Sequence, residues 1–176
     1  MLEIETRFGI ETDPYRNHLN RLENGVSIGL PVVGCVLFLY SLASQTPSLS
    51  MVIIFALATL ATSIGVSVGH HRYFTHASFK TSRFGRLLLG VLATISMQGS
   101  ILRWVADHRR HHRFTDRPGD PHSPYVNADG HSMRCRASGL AHAHLLWMFN
   151  GYLSDEQRYA RDINADAISA WLSAHY

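Results

Sequence analysis

Between Glu23 and Arg72 the chain has no acidic or basic side chain: counting histidine as neutral, the 48 residues from Asn24 to His71 carry no formal charge. With 16% charged residues overall, a water-soluble domain would rarely leave such a gap, because charged side chains normally cover its surface. The run divides at Gln45-Thr46-Pro47-Ser48, a turn-forming cluster. Gly25 to Ser44 and Pro47 to Gly69 are each close to the ~20 residues an α-helix needs to cross ~30 Å of hydrocarbon. Lipid offers no partner for backbone N–H and C=O groups, so spanning segments of this kind are helical. A buried hairpin in a soluble protein is the alternative, and the length and neutrality of both segments count against it.

Orientation follows from the flanking charge. Arg7, Arg16 and Arg21 precede the first span, none lies in the turn, and Arg72, Lys80, Arg83 and Arg86 follow the second. The positive-inside rule places both ends of the hairpin in the cytoplasm. The first 23 residues are mixed and charged, unlike a signal peptide. A third apolar stretch, Leu87 to Leu102, is short for a span and broken by Gly90, Ser96, Gln98 and Gly99; an interfacial helix over about 84–102 is the better reading. Pro118, Pro121 and Pro124 make the next segment a loop, to about Ser138. Ser154 with Gln157 resembles a capping box that opens a short polar helix. The expected fold class is all-α integral membrane: a cytoplasmic amino-terminal segment (1–24), a transmembrane helical hairpin (25–70) and a cytoplasmic region (71–176) with an interfacial helix and histidine-bearing helices.

Composition excludes other classes. A net charge of +3 is too small to argue for nucleic acid. Cys35 and Cys135 have no Cys-x-x-Cys spacing, so neither a disulfide framework nor a thiolate zinc site is indicated. Histidine is the outlier, 12 in 176 residues. One cluster reads Gly69-His-His-Arg-Tyr-Phe-Thr-His76, where the second span leaves the bilayer. On an ideal α-helix His71 and His76 would sit about 140° apart, so they converge only if the helix ends or distorts there. The other reads Trp104-Val-Ala-Asp107-His108-Arg-Arg-His111-His112. Three- and four-residue spacing puts His108, His111 and His112 on one helical face with Trp104 one turn earlier. Three imidazoles on a face suit a borderline metal such as iron or zinc, with Asp107 and Asp116 as candidate acceptors for their second ring nitrogens. Solvated histidines on a basic helix fit the same residues. Arg103, Arg109, Arg110 and Arg113 are available to an anionic headgroup, coenzyme A phosphates or an acidic electron donor, or simply to solvent. Asp116-Arg-Pro-Gly-Asp120-Pro-His122-Ser-Pro124 is chemically underdetermined, and a tight loop holding the histidine helix is one reading.

In order and spacing these features resemble the membrane-bound fatty acid desaturases, stearoyl-type Δ9 group. That group's Gly-x-His-Arg-x-x-x-His looks like Gly69 to His76. Its Trp-x-x-x-His-Arg-x-His-His, followed by Asp and Asp-Pro-His, looks like Trp104 to His122. Its Gly-x-x-x-x-His segment ending in Trp resembles Gly139 to Trp147. The resemblance implies that His71, His76, His108, His111 and His112 bind iron in a di-iron centre of two Fe ions. His70, His122 and His144 match no ligand position, and His70 is expected as an interfacial neighbour. The implied reaction uses O2 and two electrons to introduce a cis double bond into a fatty acyl chain carried by coenzyme A, acyl carrier protein or lipid. The electrons come from a separate donor such as ferredoxin, rubredoxin or cytochrome b5. The implied location is the bacterial inner membrane or the endoplasmic reticulum, with the histidines on the cytoplasmic side.

Some family elements have no counterpart. After His112 the histidines are His122, His131, His142, His144 and His175, none adjacent to another, so the third His-x-x-His-His box and the Asn-x-x-x-His element before it are absent. A Gly that usually follows the third motif's histidine by two is Leu146. The expectation is therefore an amino-terminal part of such an enzyme, truncated or fragmentary, holding its iron pair incompletely and inactive alone. A related membrane di-iron hydroxylase and a non-catalytic truncated membrane protein are the rival readings.

Overall fold

The structure, a computed structural model, describes residues 6–176; Glu3 and Glu5 of the amino-terminal segment lie outside the described residues. Strand β1 (Ile10–Glu11) leads into helix α1 (Pro14–Ser44). Asp13 caps α1 by accepting the N–H groups of Tyr15 and Arg16, and Pro14 occupies the first turn, where its missing N–H costs nothing. Helix α2 (Leu49–Ile64) is capped by Ser48, whose side chain accepts from Met51 N–H. It runs on into a π-helix, Gly65–Thr75. Pro14–Ser44 and Leu49–Thr75 are both long and apolar enough to cross a membrane. Their apolar side chains point outward: Leu37 is 62% and Ile54 67% exposed. In water that exposure would be prohibitive over two whole helices, and in hydrocarbon it is the favoured state. Within the hairpin, Phe38 and Phe55 stack at 5.6 Å.

The rest of the chain forms short helices around a small core, and Phe8, Ile10 and Ala128 form a second core that shares Phe114 with it. Helix α3 (Arg83–Ile95) is capped by Ser82 and ends well before the expected 102. Met97 and Gly99, at φ 55° and 93°, turn the chain into α4 (Ile101–Phe114), capped by Ser100. Helix α3 buries Leu89, Gly90 and Ala93 and leaves Phe84, Leu87, Leu88, Val91 and Ile95 exposed, apolar on both faces. After the proline loop come α5 (Arg136–His144), a 3-10 turn (Leu146–Phe149), strand β2 (Leu153–Ser154), and α6 (Glu156–Tyr159), α7 (Arg161–Asn164) and α8 (Ala167–Ala174). The expected capping residue of α6 is corrected by one position. Asp155 accepts from Gln157 and Arg158 N–H, while Ser154 lies in β2 and donates its hydroxyl to Asp107 at 2.5 Å. Phe74, Ile101, Val105, Tyr159 and Leu172 centre the core. Strands β1 and β2 pair antiparallel, Ile10 with Ser154 and Glu11 with Leu153, and so tie the amino-terminal segment to the histidine-bearing region.

Candidate metal centre

The second span delivers its histidines by changing its winding. Gly65 and Gly69 lie against the backbone of α3: an added Cβ would sit 2.1 Å from the Leu92 carbonyl oxygen at Gly65 and 3.0 Å from that of Leu89 at Gly69. This is the small-xxx-small packing that lets two helix backbones meet. Over the same stretch hydrogen bonds run i→i+5, a rare winding that favours functional sites. His76 N–H donates to the His71 carbonyl at 3.2 Å, and Thr75 Oγ1 to the His70 carbonyl at 2.8 Å. Five residues then return to the same side, and the His71 and His76 rings lie 4.7 Å apart.

Helix α4 supplies the opposite wall. The His108 ring lies 4.9 Å from that of His71 and 4.6 Å from that of His112; His76 lies 4.8 Å from His112. One ring nitrogen of each of His71, His76, His108 and His112 lies within 4.8 Å of the others. Metal–imidazole bonds of about 2.0–2.1 Å place ligands on opposite sides of one ion about 4 Å apart, so small ring rotations would close this set on a cation. Burial first, then the neighbouring imidazoles of His112, His71, His111 and His76, pushes His108 down to about 3. His76 is lowered by burial, His71, His112 and Arg109. His108 and His76 therefore resist taking up protons and keep nitrogen lone pairs free at neutral pH, which an imidazole-ligated metal requires. The residues present fit such a metal.

His111, expected with His108 and His112, turns elsewhere. Its ring lies 6.0 Å from that of His108, and it groups instead with Asp120 and His122. Its Nδ1 donates to both Asp120 oxygens, at 3.0 and 3.1 Å, and the ring stacks on His122 at 4.2 Å. The hydrogen bond to Asp120 raises the His111 pKa. Burial would raise Asp120, but the hydrogen bonds from His111 and from the Asp116 and His122 N–H groups hold it below the usual carboxylate range. This corrects the choice of Asp107 and Asp116 as imidazole acceptors. Asp107 pairs with Arg103 at 2.7 Å, and Asp116 accepts from the Ser123 hydroxyl at 3.0 Å. A local sequence signal for Asp120 existed in Gly119-Asp-Pro, since positive φ at Asp116 and Gly119 marks a tight turn that can aim a side chain back at the helix.

His70 is no interfacial neighbour. It is fully buried, its Nε2 lies 3.1 Å from the Ala93 carbonyl, and its ring stacks on Trp104 at 5.0 Å, which in turn stacks on His108 at 4.6 Å. Nothing in its local sequence separated it from His71. His144 has its Nδ1 3.1 Å from the Leu140 carbonyl of its own helix and lines the cavity beside the cluster. Beside the cluster, Asn24, Trp104, His108, His122 and Trp147 line a cavity of about 340 Å³. Asn20 and Asn24 of α1 donate to the Met148 carbonyl and close one wall.

The arginines expected to meet phosphates or a donor are largely engaged internally. Arg109 donates to the carbonyls of Phe74, Thr75 and Tyr159 and to Asp162, thereby capping the open end of the π-helix. Arg110 is fully buried, and none of its guanidinium nitrogens has a hydrogen-bond partner among the described residues. Arg109→Met should destabilise the chain by roughly 2–4 kcal/mol, since several charge-assisted bonds vanish and carbonyls are stranded. Thermal unfolding in detergent measures this, and an unchanged midpoint would show that water replaces the guanidinium without penalty.

The family described as fatty acid desaturase matches residues 46–172. The chain is 41% identical over 113 residues, 64% of its length, to Hex-5-enoyl-[acyl-carrier protein] acetylenase of Moorena producens (strain JHB), covering 35% of that protein. It is 37% identical over 87 residues, 49% of its length, to Delta-9 acyl-lipid desaturase 2 of Arabidopsis thaliana, covering 24% of it. It is 29% identical over 164 residues, 90% of its length, to Probable acyl-CoA desaturase of Schizosaccharomyces pombe, covering 30% of it. The chain thus spans about a quarter to a third of the length of these relatives. No solved structure matches it.

Proposed function

The chain belongs to the fatty acid desaturase family, and from that premise we propose that it forms part of a membrane fatty acyl desaturase that introduces a cis double bond at the Δ9 position. The observation that carries this reading is the convergence of His71 and His76 with His108 and His112, from two segments separated by a whole helix. The balanced reaction joins a CH₂–CH₂ pair, O2, two electrons and two protons to give an alkene and two waters. Iron bound by the histidines supplies the O2 chemistry, which no side chain can perform. His71, His76, His108, His111 and His112 would hold it.

The residues of this chain do the remaining work. Trp104, stacked on His108, fixes a ligand ring and forms the apolar wall of the adjoining cavity, where the acyl chain would lie. Packing around the buried His70 and the half-buried Trp104 would keep bulk water from the reacting carbons. The hairpin anchors the site at the bilayer, where acyl chains partition, and the exposed apolar face of α3 rests in the interface. The flanking arginines support a cytoplasmic position for the site, where an external carrier such as ferredoxin, rubredoxin or cytochrome b5 would reach it. Coenzyme A, acyl carrier protein and lipid remain the candidate acyl carriers; the relatives' names include all three.

Lipid mass spectrometry of desaturase-deficient cells expressing the complete gene tests this. A new Δ9 alkene is the expected product. A hydroxylated chain would move the protein to the related di-iron hydroxylases, and lipids identical to the empty-vector control would refute the catalytic reading.

A further inference from the structure

Among the described residues, His111 is the one boxed histidine with a carboxylate on its ring. An imidazole binds metal through one nitrogen, and the hydrogen bond at the other decides which. Here both Asp120 oxygens lie on Nδ1, at 3.0 and 3.1 Å. Asp120 is itself fully buried and cannot swing away, because it also accepts from Asp116 N–H at 2.9 Å and His122 N–H at 3.0 Å. The loop behind it is seated on the second core: Gly119, at φ 100°, approaches Phe8 so closely that a Cβ would sit 2.5 Å from that ring. His122 then covers one face of His111 at 4.2 Å, with ring planes 20° apart. A hydrogen bond, a ring stack and a helix thus constrain one imidazole.

These residues also form a compact His–Asp–His group that could be read as a metal site in its own right. The hydrogen-bond inventory argues otherwise. Both carboxylate oxygens already face N–H donors, and His111 Nδ1 bears the proton they accept. We propose that Asp120 is a positioning residue: it locks His111 in the Nδ1–H tautomer and presents Nε2 as the metal ligand, without binding metal itself. This rests on the reading of His111 as an iron ligand. It assigns a task to the Asp116–Pro124 loop, whose length and two left-handed residues serve to bring a carboxylate back under its own helix.

The experiment uses the full chain in detergent, with ¹⁵N-labelled histidine, metal-free and at alkaline pH where every imidazole is neutral. His111, assigned by comparison with His111→Ala, should show a protonated Nδ1 and a bare Nε2. In Asp120→Asn, where an amide N–H can face the ring, the proton should move to Nε2. An Nε2–H tautomer in the unmodified chain overturns the proposal, whether or not Asp120→Asn folds. So does a tautomer unaffected by Asp120→Asn. Cobalt(II) titration forms the second arm. The component of binding lost in His111→Ala should weaken about 10–100-fold in Asp120→Asn, while the component lost in His108→Ala persists. Loss of cobalt in Asp120→Asn with the tautomer unchanged would make Asp120 a ligand and overturn the proposal. If His111→Ala leaves cobalt binding untouched, the ligand reading beneath it fails, and the tautomer data show that separately.

Discussion

His108→Ala is expected to reduce affinity for iron(II) or cobalt(II) by at least about 100-fold, more than the 10–100-fold typical when only a supporting residue is lost. The reason lies in the position of His108 among the rings. It is the imidazole that contacts His71 on the span and His112 on its own helix, with its Nε2 3.1 Å from that of His112. It is also the ring on which Trp104 stacks. Removing it would take a candidate ligand from the centre of the group and expose the indole, and among the described residues no carboxylate belongs to that group. His131→Ala, in an exposed loop, should leave binding unchanged. Metal titration of detergent-solubilised chain decides the matter. Equal affinity of His108→Ala and the unmodified chain would mean that the histidines cluster for packing alone.

The second large effect concerns backbone packing. In Gly65→Ala the new methyl would stand 2.1 Å from the Leu92 carbonyl oxygen and 2.6 Å from its carbon, contacts that no side-chain rotation relieves. The π-helix and α3 must separate, at a cost of about 3 kcal/mol, and His71 moves with the helix that carries it. Loss of thermal stability should therefore come with weakened metal binding, although Gly65 touches no histidine of the cluster. Gly34→Ala is the contrast. Nothing lies within 4 Å of a Cβ there, so alanine should be neutral or slightly stabilising in the helix. A Gly65→Ala chain with the melting temperature and metal affinity of Gly34→Ala would disprove the proposed role of close packing in setting the π winding.

These two experiments probe different levels of organisation, and the levels differ in how far the amino-acid sequence discloses them. The charge-free run required a hairpin, because hydrocarbon excludes charge and unpaired backbone groups whatever the rest of the chain does. Spacing along one helix likewise placed His108 beside His112, and Trp104 beside His108, since neighbours three and four apart meet in any α-helix. The alignment of His71 with His76 was different. Periodicity set them about 140° apart, and they meet only because Gly65 and Gly69 press the span against α3 and the stretch winds as a π-helix.

The other surprises share that origin. His70 and His71 are adjacent and chemically identical, yet one is buried against Trp104 and the other joins the cluster. His111 shares a helical face with His108 and His112, but a loop anchored on Phe8 brings Asp120 to its ring and groups it with His122. By itself, then, the sequence determined what depends on solvent and helical geometry: two helices long and apolar enough to cross a membrane, and histidines where the second of them ends. The tertiary structure alone decided the π winding, the burial of His70 and the pairing of His111 with Asp120. The first two come from contacts between segments distant in the chain; the third joins residues nine apart, but the loop that brings them together is seated on the distant Phe8.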